Sequence, residues 1–255
     1  MEGLLAELPR DAFGAILLIC RIGGICMLAP GIGEAELPAS VRAAFAMVLT
    51  ALLFGPLYPL LPPLPVAEIR VAAMVVAEVI TGLWMGWLAR LVALALGMGA
   101  QFVAVQMGLA SVLQPDPELG AQSTAVSRLF SLAAPVAILA TGLYAMPLSA
   151  LVGSYRLIAP GTFLPPADTA ATVVAALGAS FSLALQLAAP FIIGGLLWQT
   201  ALGLLARLVP NLQVFAAAMP GQILAGLLLL ALVVGGMIEV WLDGTRAAFL
   251  LLPGV

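Results

Sequence analysis

The chain has 255 residues, of which 64% are hydrophobic and only 8% charged. A water-facing domain carries roughly a quarter charged residues, so nine basic and twelve acidic side chains leave most of this surface to be covered by lipid, by other protein, or by both. Without histidine or lysine the chain has no histidine triad, histidine metal site, Walker A loop or Schiff base, and a net charge of −3 offers nucleic acid no basic footprint.

At the start, Glu2, Glu7 and Asp11 surround Arg10, whereas a cleaved signal opens with positive charge; no signal peptide is expected. Leu17-Leu18-Ile19-Cys20 is a poor lipoprotein site, because Ile19 stands where a small residue is wanted. An apolar stretch over 12–30 follows, interrupted by Arg21. Its two cysteines, Cys20 and Cys26, lie about 9 Å apart along a helix, too far for a disulfide.

Further apolar stretches run over 43–61, over 71–113 with Glu78 and Arg90 embedded, over 129–155, over 169–206 and over 208–238. Each can supply the roughly 20 residues of a spanning helix. The stretch 71–113 reads as one very long helix or as two broken at Arg90. The pattern predicts an all-α chain of six or seven helices. Arg10, Arg42, Arg70, Arg128, Arg156 and Arg246 fall about one per connection, so the positive-inside rule sets no orientation. Pro56, Pro59, Pro135, Pro190 and Pro220 lie inside or beside apolar runs, where each removes a backbone donor and bends a helix; the freed carbonyls need neighbouring protein. The polar break of the chain is 111–128.

Glu78, Gly82, Gly86 and Arg90 recur at a spacing of four and form one helical stripe. The glycines admit a close helix neighbour. Glu78 and Arg90 are about 18 Å apart along the axis, so each needs another partner. The stripe is read as a face for a neighbouring subunit, although a face packed within the chain would use the same chemistry. Gln101 and Gln106, with Gly97, Gly99 and Gly108, read as hydrogen-bonding glue between helices rather than as a pore lining. Met107 is apolar filler or a deformable constriction. Among membrane classes, a transporter would want paired ionisable groups near the midplane, and an enzyme would want a nucleophile with its base. Packing glycines, kinked helices and a few polar breaks fit a structural or channel subunit best.

Several strings, in order, resemble a known family. Arg21-Ile22-Gly23-Gly24, Pro30-Gly31-Ile32-Gly33, Leu37-Pro38 and Val41-Arg42 are similar to the opening of the FliR-type export-gate proteins of flagella and injectisomes. Gln106-Met107-Gly108-Leu109 with Asp116-Pro117 resembles the family's central loop, and Ser154-Tyr155 with Pro160-Gly161 its next signature. The C-terminal third carries Ala189-Pro190, then 201–207 ending in Arg207, then Pro210-Asn211-Leu212-Gln213-Val214-Phe215 and Pro220. The chain departs from the pattern at Leu143 and Tyr144, at Gln101, and at Gly221-Gln222.

The resemblance implies an all-α, integral membrane-type protein of long kinked helical hairpins, packed as one subunit of a spiral export-gate assembly. It would be a single domain over 1–255, with hairpins over 1–113, a plug-like loop over 114–128 and hairpins over 129–255. It implies a non-enzymatic role without cofactor in the bacterial inner membrane, at the flagellar basal body, helping to form and close the channel for unfolded flagellar proteins. An injectisome subunit with the same mechanism, or a small-solute transporter, are the alternatives. Implied partners are FliP-like and FliQ-like subunits around one copy of this chain, FlhB-like and FlhA-like proteins, exported polypeptides and membrane lipid. Gln106, Met107, Gly108, Leu109, Pro115, Asp116 and Pro117 would form the plug and gate, with Pro115 and Pro117 stiffening the loop. Arg21, Arg42, Glu78, Gly82, Gly86, Arg90, Pro190, Arg207, Pro210, Phe215 and Pro220 would pack against other subunits, Arg207 either capping carbonyls freed at a bend or pairing with a partner's acid.

Overall fold

A computed structural model describes residues 2–109, 124–208 and 214–255, with side chains from residue 8 onward. Among them are eight α-helices and no strand: α1 Glu2–Leu28, α2 Ala39–Leu57, α3 Glu68–Ala93, α4 Ala95–Gln106, α5 Ala125–Ala140, α6 Ala145–Leu157, α7 Pro166–Leu208 and α8 Val214–Phe249. A short 3-10 turn, Tyr58–Leu60, extends α2. The all-α expectation holds. Five of the helical segments are long and apolar enough to cross a membrane, or six if the bent pair α5 and α6 forms one span.

Local chemistry explains where the helices begin and end. Pro38 precedes α2, and its carbonyl accepts the Val41 and Arg42 amides. Pro166 opens α7 at the position where a missing N–H costs nothing. Gly142, with φ +74°, makes the turn between α5 and α6 in a backbone region that other residues avoid. Pro9, Pro56, Pro135, Pro190 and Pro220 all lie inside helices, where each removes one ladder hydrogen bond.

The break within 71–113 falls at Leu94 rather than at Arg90. Arg90 lies in the last turn of α3, and its guanidinium reaches out of the helix to Glu34 and to the Gly33 carbonyl. A charge satisfied that way gives the helix no reason to stop. The overlong stretch 169–206 lies within one helix, α7, of 43 residues.

Packing sorts the helices into two units that do not follow chain order. The first comprises Met1–Ala93, Pro135–Leu177 and Arg246–Val255, and the second Leu94–Ala134 and Gly178–Thr245. In the first, α1 packs along α3 and, less extensively, α2. Leu18, Ile22, Ile25, Met85, Leu151 and Tyr155 form part of its core. In the second, Gly99 on α4 leaves room for the Ala184 carbonyl and Leu187 of α7, with contact distances of 3.1 Å for an added Cβ.

Candidate functional site: a buried charge cluster and the residues flanking 110–123

The first unit is organised around an ion pair. Arg21 on α1 and Glu78 on α3 are both fully buried. Two parallel bonds join them, Nε to Oε2 at 2.7 Å and NH2 to Oε1 at 2.8 Å. The remaining guanidinium nitrogen, NH1, donates to Ser154 Oγ and to the Ile158 carbonyl, each at 3.2 Å. The Tyr155 ring lies 4.2 Å from the guanidinium carbon, in cation–π range. Glu78 Oε1 also accepts the Gly161 amide at 2.6 Å. Gly161 has φ +80°, and a Cβ there would run into Met74. The fork geometry and the additional donors and acceptors are what a buried pair needs to offset its desolvation.

Helix spacing makes that pair attainable. A Cβ on Gly82 would collide with the Arg21 carbonyl oxygen, and one on Gly24 would lie 2.7 Å from the Leu83 nitrogen. At Gly86 it would meet Leu28 Cβ at 3.0 Å. The stripe Glu78, Gly82, Gly86 is therefore covered by α1 of this same chain, and Arg21 is buried with it. The expected face for a neighbouring subunit is corrected accordingly, because the close approach that small residues permit is already taken by α1. Arg90 lies apart from this cluster. Its NH2 pairs with Glu34 Oε2 at 3.0 Å and its NH1 donates to the Gly33 carbonyl at 3.0 Å, while Glu34 Oε1 accepts the Gly31 amide. The connection after α1 is thereby fastened to α3.

In the second unit, α4 is joined to the described residues on either side of 110–123. At its C-terminal end the Gln222 side-chain amide of α8 donates to the Gln106 main-chain carbonyl at 2.8 Å, one of the acceptors a helix end leaves open. Gly108 follows with φ +74°, and a Cβ there would lie 3.5 Å from the Gln222 amide. Met107 is buried and rests on Gly226, where a Cβ would lie 2.5 Å from its Cγ. On the other side of the segment, Gln101 Oε1 accepts both the Thr124 amide at 3.3 Å and its hydroxyl at 3.2 Å. Ser127 Oγ donates to the Gly97 carbonyl. The Gln101 amide therefore acts as the expected glue, whereas at Gln106 it is the main-chain carbonyl that is engaged. Beside Met107 lies a cavity of about 100 Å³, bordered by Gln106, Phe191, Trp198, Gln222 and Leu229. Trp198 Nε1 is buried with no acceptor among the described residues.

The other expected residues are dispersed. Arg42 is half-buried in the first turn of α2, and its Nε has no acceptor among the described residues. Pro190 is half-buried inside α7, Arg207 is exposed in its last turn, and Phe215 and Pro220 are exposed on α8. Pro115, Asp116, Pro117 and Pro210 lie outside the described residues. Leu109 is half-buried just beyond Gly108. Sequence reasoning did not assign sites to Ser154, Tyr155, Gly161, Gln222 or Gly226. The first three nevertheless stand in strings that resemble the family's signatures, and these converge on the Arg21–Glu78 pair, Ser154 and Tyr155 on Arg21 and Gly161 on Glu78.

Residues 12–248 match the profile described as Bacterial export proteins, family 1. The flagellar biosynthetic protein FliR of Caulobacter vibrioides is 33% identical over 236 residues, covering 92% of this chain and 94% of that protein. FliR of Bacillus subtilis is 27% identical over 224 residues, covering 86% of each. FliR of Escherichia coli K12 is 23% identical, covering 84% of this chain and 81% of its own length. With residues 12–248 matched, this chain belongs to family 1 of the bacterial export proteins.

Proposed function

We propose that this chain is a core subunit of the flagellar type III protein export gate in the bacterial inner membrane. It packs with FliP-like and FliQ-like subunits, with FlhB-like and FlhA-like proteins adjoining, and helps form and close the channel for unfolded flagellar proteins. The observation that carries this reading is apolar surface the chain cannot cover by itself. At 43 residues, α7 has a contour of about 64 Å, against a hydrocarbon core of roughly 30 Å. It is uncharged from 169 to 206. Over the membrane-length window of α8, only 6% is buried within the chain. Lipid can cover about half the length of such helices; apolar partner helices cover the rest.

The gating half of the proposal rests on the 106–109 string, whose resemblance to the family's central loop supports a plug after it. Before that segment α4 is held at Gln106 by Gln222 of α8, and after it Thr124 is held by Gln101 of α4, as a closure that stays anchored while its middle is displaced would require. The test is a deletion of about ten residues around Pro115 in the assembled complex, read as ion conductance in proteoliposomes. Leakage should rise with assembly intact; unchanged conductance in a correctly assembled complex rejects the plug.

A further inference from the structure

Arg21 is the one charge in the apolar stretch 12–30, and Glu78 the one charge between Arg70 and Arg90. Each lies within a segment able to cross a membrane, Leu8–Leu28 and Glu68–Gln106. Their separation along the chain is 57 residues, and the Ser154, Ile158 and Gly161 contacts come a further 76 to 83 residues on. During synthesis, therefore, α1 is complete before the carboxylate that pairs with its guanidinium has been made, and that guanidinium keeps its charge in every environment. A lone arginine deep in hydrocarbon is strongly disfavoured.

We propose that the Arg21–Glu78 pair is an insertion latch. Helix α1 is retained weakly at the bilayer until α3 has been made, and the two settle into hydrocarbon together as a neutral pair. The 154–161 stretch then closes over it. Two independent features support this order. The α1–α3 contact at Gly24 and Gly82 is backbone against backbone, so the pair forms without waiting for other helices to shape the groove. The later donors and acceptors engage only what the pair leaves over, NH1 of Arg21 and the second acceptor site of Glu78 Oε1.

The test is pulse–chase integration of the full-length chain, co-expressed with its partner subunits and read as resistance to alkaline extraction. Glu78→Leu strands a permanent cation and should slow acquisition of resistance about tenfold or more. Arg21→Leu strands a carboxyl that a proton can neutralise, so its defect should be the smaller of the two. The Arg21→Leu/Glu78→Leu double variant carries no charge to neutralise and should integrate within about threefold of the parent rate, even if the mature protein is less stable. Integration of Glu78→Leu at the parent rate, with loss only of the mature chain, overturns the latch and leaves a packing contact. A double variant as slow as Glu78→Leu overturns it as well.

Discussion

Gln222 closes the end of α4 by donating its side-chain amide to the Gln106 carbonyl at 2.8 Å. The bond ties α8 to the last helical residue before Gly108 swings the chain into the left-handed region. Gln222 stands where the chain departs from the family pattern, so the contact joins a familiar string to an unfamiliar residue.

Replacing Gln222 with leucine leaves the Gln106 carbonyl without its donor, at a cost of about 1 kcal/mol. If this bond steadies the base of a channel closure, the closed state is disfavoured by roughly fivefold. Resting ion conductance of the assembled complex in proteoliposomes should rise several-fold in Gln222→Leu. An asparagine at this position is too short to reach and should behave like leucine.

Neighbouring glycines should respond in opposite ways. Gly82→Ala places a methyl group against the Arg21 carbonyl, whereas a Cβ on Gly23 meets nothing within 4 Å. The first substitution must part α1 from α3, costing about 1–3 kcal/mol in overpacking and more if the ion pair is lost. The second should be neutral or slightly stabilising through helix propensity. Thermal aggregation of the detergent-solubilised complex separates the two; equal midpoints would show that the close approach is not required.

The same logic applies beneath Met107. Gly226→Val forces Met107 off its seat, while Gly194→Ala meets only Leu229 Cδ2 at 3.8 Å. Export of flagellar substrates into the medium should fall severely in the first and stay near the parent level in the second. Normal export in Gly226→Val would show that Met107 needs no fixed position.

The two ion pairs should differ in weight. Breaking the fully buried pair through Glu78→Leu leaves Arg21 uncompensated, at about 3–5 kcal/mol. Arg90 and Glu34 are 26% and 17% exposed, so water screens what remains, and Arg90→Ala should cost nearer 1 kcal/mol. Chemical denaturation of the purified complex ranks them, and a larger effect at Arg90 would reverse this assignment.

Much of this arrangement can be read from the chain, and the limits have physical causes. Hydropathy marks the helices because each must bury or immerse an apolar surface, and the stripe of Glu78, Gly82 and Gly86 announces a close neighbour. Spacing cannot say which helix that neighbour is. The answer, α1, depends on a contact between positions 57 residues apart, and the same stripe would serve a second subunit equally well. Arg90 misled the placement of a break because charge in an apolar run looks like a boundary, whereas here it is satisfied sideways by Glu34. The string 106–109 marks the end of α4, but Gln222 and Gly226 approach it from more than a hundred residues away. No local pattern marks them.

The most direct measurement is affinity purification of the full-length tagged chain from membranes, with mass spectrometry of what accompanies it and native mass of the product. An export-gate subunit whose α7 and α8 are largely bare should come out in a defined complex with FliP-like and FliQ-like chains, and should aggregate when expressed without them. Recovery as a stable, monodisperse species free of those chains, from cells that make them, would contradict the proposed role.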